Sequence, residues 1–174
     1  MKAPSRLLLL AMTACTLAAC NIPSTTMENG AITLYGDQVT LRVSGSPKAT
    51  IGADGVFAVD GKAVATTPAE RSLLARYNQA VRSVHDTGVA MGKSGIETAA
   101  KTVEDKLSST PGKADNTAEA GAGKLKTLSL GICKAEATIK AAQDQLATQL
   151  AAFKPYASIV SAADVGDCEN DAKS

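Results

Sequence analysis

The sequence predicts an α+β fold: a small N-terminal antiparallel β-meander packed on a long antiparallel helical hairpin. Three observations carry that prediction. Hydropathy alternates with period two over residues 31–65, it then changes to the 3.6-residue period of helices, and the composition holds 32 Ala with no Trp, two Phe and three Tyr. Such an interior is built from aliphatic and small side chains. The 174 residues suffice for one domain or two small ones. The formal charge is +1, and −1 without Lys2 and Arg6, which excludes the basic footprint of a dedicated nucleic-acid binder. A single His excludes any His-pair metal site within the chain and leaves acid–base chemistry poorly supplied.

Residues 1–19 read as a lipoprotein signal peptide. Lys2 and Arg6 precede a largely apolar run, residues 7–19, that is too short to span a bilayer permanently. The run leads into Leu17-Ala18-Ala19-Cys20, the pattern of a bacterial lipobox. In the lipoproteins this resembles, the Cys thiol is diacylated, the chain is cut before it and the new amino terminus is acylated, so Cys20 is the expected lipidation site. Each buried CH₂ contributes about 0.8 kcal/mol, so several chains anchor firmly where one holds marginally. The competing readings are a plain secretory signal with a chance Cys, and Cys15, whose preceding Met12-Thr13-Ala14 fits less well. By resemblance to the enterobacterial sorting rule, Asn21 after the Cys points to the periplasmic face of the outer membrane. Residues 20–30 then form the lipidated Cys and a polar, Pro- and Gly-punctuated tether with a reach of roughly 18 Å.

The meander spans residues 31–65. Ile32 and Leu34 alternate with Thr33 and Tyr35, and Val39, Leu41 and Val43 with Thr40 and Arg42. Gly36-Asp37, Ser44-Gly45-Ser46-Pro47, Asp54-Gly55 and Asp60-Gly61 supply turns, giving four or five strands. One apolar face of such a sheet must be covered.

Residues 66–174 supply the cover. Thr67-Pro68-Ala69-Glu70 combines an N-cap, Pro at the first helical position and a capping-box acid. The first helix runs to about Leu107, and Gly88, Gly92 and Gly95 inside it are expected to permit close packing or mark a bend. Residues 108–123, with Pro111, three Gly and no apolar period, read as a loop dispensable for folding and suited to recognition. Leu125, Leu128, Ile132, Ala135, Ile139, Ala142, Leu146, Leu150 and Phe153 then form a helical seam ending at Lys154-Pro155. With Cys15 removed and Cys20 lipidated, Cys133 and Cys168 remain as an even pair in an oxidising compartment, and a disulfide is expected between them, tying down the tail. A metal or redox pair is the less fitting alternative, since no CxxC spacing is present.

Asp54 to Val64 (DGVFAVDGKAV), Thr67 to Tyr77 (TPAERSLLARY) and the segment from Gly88 to Gly95 carry a resemblance to the YggN-like periplasmic proteins, a bacterial domain family without an assigned activity. The resemblance implies a periplasmic sheet-then-helix protein. It transfers no catalytic residue.

Candidate chemistry is sparse. Gly88-Val89-Ala90-Met91-Gly92-Lys93-Ser94 looks like a phosphate-binding loop but has three residues between its glycines where four are needed, and it lies inside a helical pattern; Lys93 and Ser94 are expected to be exposed. His85 and Asp86 are adjacent, hence about 100° apart on a helix, and form no relay. Glu104 and Asp105 are expected to solvate the helix beside Lys101, which also pairs with Glu97. These observations predict no enzyme, no cofactor and no metal. The function expected is a membrane-anchored periplasmic lipoprotein acting as a non-catalytic protein-binding module, its partners the membrane and another cell-envelope protein, with no nucleic acid. One alternative is an immunity or inhibitor lipoprotein that neutralises a periplasmic toxin such as a wall-degrading effector; a second is a hydrophobic-ligand carrier. Binding is expected at the helical loop, or at an exposed sheet edge near residues 39–43.

Overall fold

The computed structural model describes residues 24–108 and 112–173. Six strands follow one another in an antiparallel meander: β1 (Thr25–Met27), β2 (Ile32–Tyr35), β3 (Gln38–Leu41), β4 (Ala49–Ile51), β5 (Phe57–Val59) and β6 (Lys62–Ala63). Three helices come after them: α1 (Pro68–Leu107), α2 (Lys113–Gln149) and α3 (Ala162–Lys173), with a 3₁₀ segment Ala151–Tyr156 between the last two. Helices α1 and α2 pack as the antiparallel hairpin, so the predicted fold class stands.

Period two decides which side of the sheet is buried. Ile32, Leu34, Val39, Leu41, Ile51 and Phe57 point into one core with Leu74, Tyr77 and Val81 of α1 and Ile139 and Leu146 of α2. Four of the five aromatic residues meet there. Phe153 touches Phe57, Tyr77 and Tyr156 at ring-centroid distances of 5.7, 6.0 and 5.8 Å, and Tyr156 Oη donates to Pro47 O at 2.7 Å. This cluster fills the space between sheet and hairpin.

Polar residues set the angle of α1 against the sheet. Thr67 caps the helix through the predicted box, its Oγ1 accepting from Glu70 N at 3.2 Å while Thr67 N donates to Glu70 Oε2 at 2.7 Å. Arg71 donates to Asp54 O and Oδ2 at 2.9 and 2.7 Å. The turn between them needs Gly55, with φ of +78°, because a Cβ there would stand 2.1 Å from Arg71 O. One heptad on, buried Asn78 donates to Asp37 O and Ile51 O, both at 2.9 Å. Another heptad on, His85 Nδ1 and Thr25 Oγ1 lie 2.7 Å apart.

Four expectations are corrected. The tether is shorter than residues 20–30, because Thr25, Thr26 and Met27 pair with Leu34, Thr33 and Ile32, adding a sixth strand through backbone bonds that need no apolar alternation. The loop expected over residues 108–123 ends at Gly112; Ala114, Ala118, Ala120 and Ala122 make the rest good helix, and its contacts use small residues, so no apolar period announces them. Residues 39–43 are no sheet edge, since β3 lies between β2 and β4 and the edges are β1 and β6. Helix α2 stops at Gln149, and Leu150 turns extended before the 3₁₀ segment, although Leu150 and Phe153 remain buried as the seam requires.

Candidate functional site

Cys20 and residues 1–19, where a signal peptide is expected, lie outside the described residues. Ser24, the first described residue, donates to Leu34 O from both its N and its Oγ, at 2.8 and 3.0 Å. Ser24 and Thr25 border one shallow cavity with Val84, His85, Gly88, Val89 and Ile132. Ser24 therefore lies beside the middle of α1, at the edge strand β1.

Beyond that point the hairpin projects as a two-helix arm. Its tip is fastened by polar contacts. Asp105, expected to solvate the helix, is instead buried against α2, where its carboxylate takes 2.8 Å from Lys113 Nζ and 2.6 Å from Thr117 Oγ1. The Lys113 bond, then the Thr117 bond, hold its carboxyl below the ordinary carboxylate value, and Asp105 in turn raises Lys113. Glu97 reaches across to Lys124 at 4.0 Å and not along its own helix to Lys101. Gly121 of α2 sits directly on Thr98 of α1.

The loop-like segment 88–94 is continuous helix. A Cβ at Gly88, Gly92 or Gly95 would meet nothing within 4 Å, so these glycines do not serve helix–helix packing; the close approach belongs to Gly121. Lys93 is exposed as expected. Ser94 is 2% exposed, facing α2, and its Oγ has no hydrogen-bond partner among the described residues. Asp86 is exposed and His85 half-buried, and no third group completes a relay with them among the described residues.

Cys133 and Cys168 are joined as a disulfide with Cα atoms 5.5 Å apart, fixing α3 to α2. Helix α3 buries no residue fully; besides the bond, the capping pair of Ser161 and Asp164, partly buried Val165 on the core and Lys126 Nζ donating to Lys173 O at 2.6 Å hold it.

Comparison with protein families, with curated proteins and with solved structures finds no match to the chain. The functional reading accordingly rests on the residues themselves.

Two features escape a reading of the sequence. The first is a carboxylate cluster drawn from three distant segments: Glu28, which has a φ of +51°, Glu136 of α2 and Asp164 of α3. Burial first, then the charge and hydrogen bond of Glu28 and the charge of Asp164, push Glu136 up to about 7. The hydroxyl of Tyr77, fully buried and without a partner among the described residues, feels Glu28 as well. No cluster of three or more His, Cys, Asp or Glu suited to a metal is found among the described residues. The second feature is a row of apolar side chains left in solvent on α1: Val89, Ile96, Val103 and Leu107, with Leu130 exposed on α2. The heptad spacing of the first three was the available signal, and it is indistinguishable in sequence from a buried seam.

Proposed function

We propose that this chain is a lipid-anchored periplasmic protein of the outer membrane that works by binding another envelope protein and not by turnover. The observation that carries the reading is the lipobox ending in Cys20, behind a basic and apolar leader. The Cys133–Cys168 disulfide suits an oxidising compartment. The two-helix arm presents Leu130 of α2 at 39% exposure, an apolar side chain of the kind that protein partners cover. The resemblance to YggN-like periplasmic proteins agrees with this address. An inhibitor that neutralises a periplasmic toxin is the same mode of action with a different partner.

The experiment has two arms. Cys20→Ser should release the protein from the membrane fraction or leave it unprocessed; unchanged fractionation and size overturn the anchor. A photo-crosslinking residue in place of Leu130, in the anchored protein in cells, should give an adduct of discrete mass that is absent when the same residue replaces Lys62 on the far edge of the sheet. Identical patterns at both positions overturn a specific binding surface on the arm.

A further inference from the structure

The uncovered row on α1 has a definite place relative to Ser24. At 3.6 residues per turn, residues eighteen apart share one side of a helix. Ile96 therefore lies on the side of Asn78, Val103 on the side of His85, and Leu107 on that of Val89. Asn78 and His85 are the residues that bond to the sheet, at Asp37, Ile51 and Thr25. The face of α1 that meets the sheet over its first half thus continues over its second half without the sheet, and its apolar residues stand in solvent: Val89 at 45%, Ile96 at 75%, Val103 at 59% and Leu107 at 80% exposure. From Val89 to Leu107 the row is roughly 27 Å long at 1.5 Å per residue.

The uncovered face begins beside Ser24. Ser24 and Val89 border the same cavity. Four peptide units separate Ser24 from Cys20, and they span at most about 14 Å fully extended. Because β1 takes up residues 25–27 and Ser24 is itself bonded to Leu34 O, only residues 21–23 are left between the anchor and the sheet. A lipid-bearing Cys20 on so short a lead keeps Ser24 within about 14 Å of the bilayer surface. Such an anchor would bring the Val89 end of the row close to the headgroups.

From this we infer that the outer face of α1 from Val89 to Leu107 rests on the bilayer that holds Cys20, so that the hairpin arm lies along the membrane. The inference depends on the anchor proposed above. Lys93 and Lys106, both exposed, border the row and can reach lipid phosphates while their stems cover apolar surface; exposed Asp86 and Glu104 border it as closely, so the contact rests on the apolar row and the anchor and not on a basic face. Glu97 is turned away, toward Lys124 on α2. An α1 face on the lipid leaves the α2 side of the arm, with Leu130, to a protein partner.

The chain contains no Trp, so one introduced Trp is a lone reporter. Ile96→Trp, Val103→Trp and, on the exposed side of α2, Glu119→Trp are made in the full-length lipidated protein. Each is reconstituted in phosphatidylethanolamine–phosphatidylglycerol vesicles with plain or brominated acyl chains. Trp at 96 and at 103 should emit to the blue and lose most of its emission to brominated lipid, and Trp at 119 should do neither. Equal, weak quenching at all three positions in protein that still floats with the vesicles overturns the docked arm while leaving the anchor intact. Protein that does not float overturns the anchor and this inference with it. A blue shift at 96 that grows with protein density and is insensitive to bromine assigns the face to a second copy and also overturns the inference.

Discussion

Gly121 of α2 lies so close to Thr98 of α1 that a Cβ built on it would stand 2.2 Å from Thr98 Cγ2 and 2.6 Å from its Oγ1. This pair sets how near the two helices approach along the arm. Gly121→Ala gains helix propensity of about 1 kcal/mol. It also forces a β-branched side chain in a helix to move, an overpacking cost of about 1–3 kcal/mol. The clash should win. Gly121→Ala is expected to lower the melting temperature, and Thr98→Ala in the same chain to restore it; a stabilised single variant would place the helices farther apart than described.

Gln143 has no exposed surface and bonds the chain segment after the 3₁₀ turn three times. Its Nε2 donates to Ala157 O at 2.7 Å and Val160 O at 2.8 Å, and its Oε1 accepts from Val160 N at 3.1 Å. Gln143→Leu leaves those groups buried and unpaired, at a cost of about 3 kcal/mol or more. Chemical denaturation should show that loss. Gln143→Glu should cost more at neutral pH, because a carboxylate then faces the two carbonyls; equal midpoints for the three proteins would refute the bonding pattern.

How much of this was legible follows from which contacts write a pattern into the chain. The start of α1 is plain because capping is local: Thr67, Pro68 and Glu70 lie within four positions. The sheet core is plain because Ile32, Leu34, Val39 and Leu41 alternate. Strand β1 is not, since Thr25, Thr26 and Met27 join β2 mainly through backbone bonds that any residues make. The tip of the arm is equally silent, for Gly121 on Thr98 and Asp105 between Lys113 and Thr117 contain no large apolar side chain. The disulfide was legible by parity alone. The grouping of Glu28, Glu136 and Asp164 was not, because residues so far apart acquire a common environment only from the fold.

Breaking the disulfide should release α3 before it harms the core. Closing a loop of 35 residues constrains the unfolded chain by roughly 4 kcal/mol in the entropic account. Since α3 buries no residue fully, a chain without the bond has a cheaper route than global unfolding: α3 detaches. Cys168→Ser is therefore expected to become cleavable by protease within residues 162–173 under native conditions, with the fragment that keeps the aromatic cluster remaining folded. Thiol labelling of the unreduced parent should modify neither Cys133 nor Cys168. Protection of α3 in the variant would show that its surface contacts suffice.

Stability should fall as pH rises from about 5 to 8, and Glu136 is the reason. Its folded value of about 7 lies above the ordinary 4.5, so the folded state binds that proton more tightly than the unfolded chain does. The contribution is fully present below the unfolded value and is lost as pH climbs through the folded one, when Glu136 adds a third negative charge to the half-buried site it shares with Glu28 and Asp164. Burial and Asp164 raise Glu28 too, which adds to the same trend. Asp54, Asp105 and Asp164 are lowered from 3.8, so their stabilisation is already complete throughout this window and does not mask the slope. Glu136→Gln removes the group that must ionise and keeps an amide able to donate to Glu28. It should raise the melting temperature at pH 8, change it little at pH 5, and flatten the profile between them. Thermal melts at fixed ionic strength check this, and a parallel slope in parent and variant would remove Glu136 as its cause.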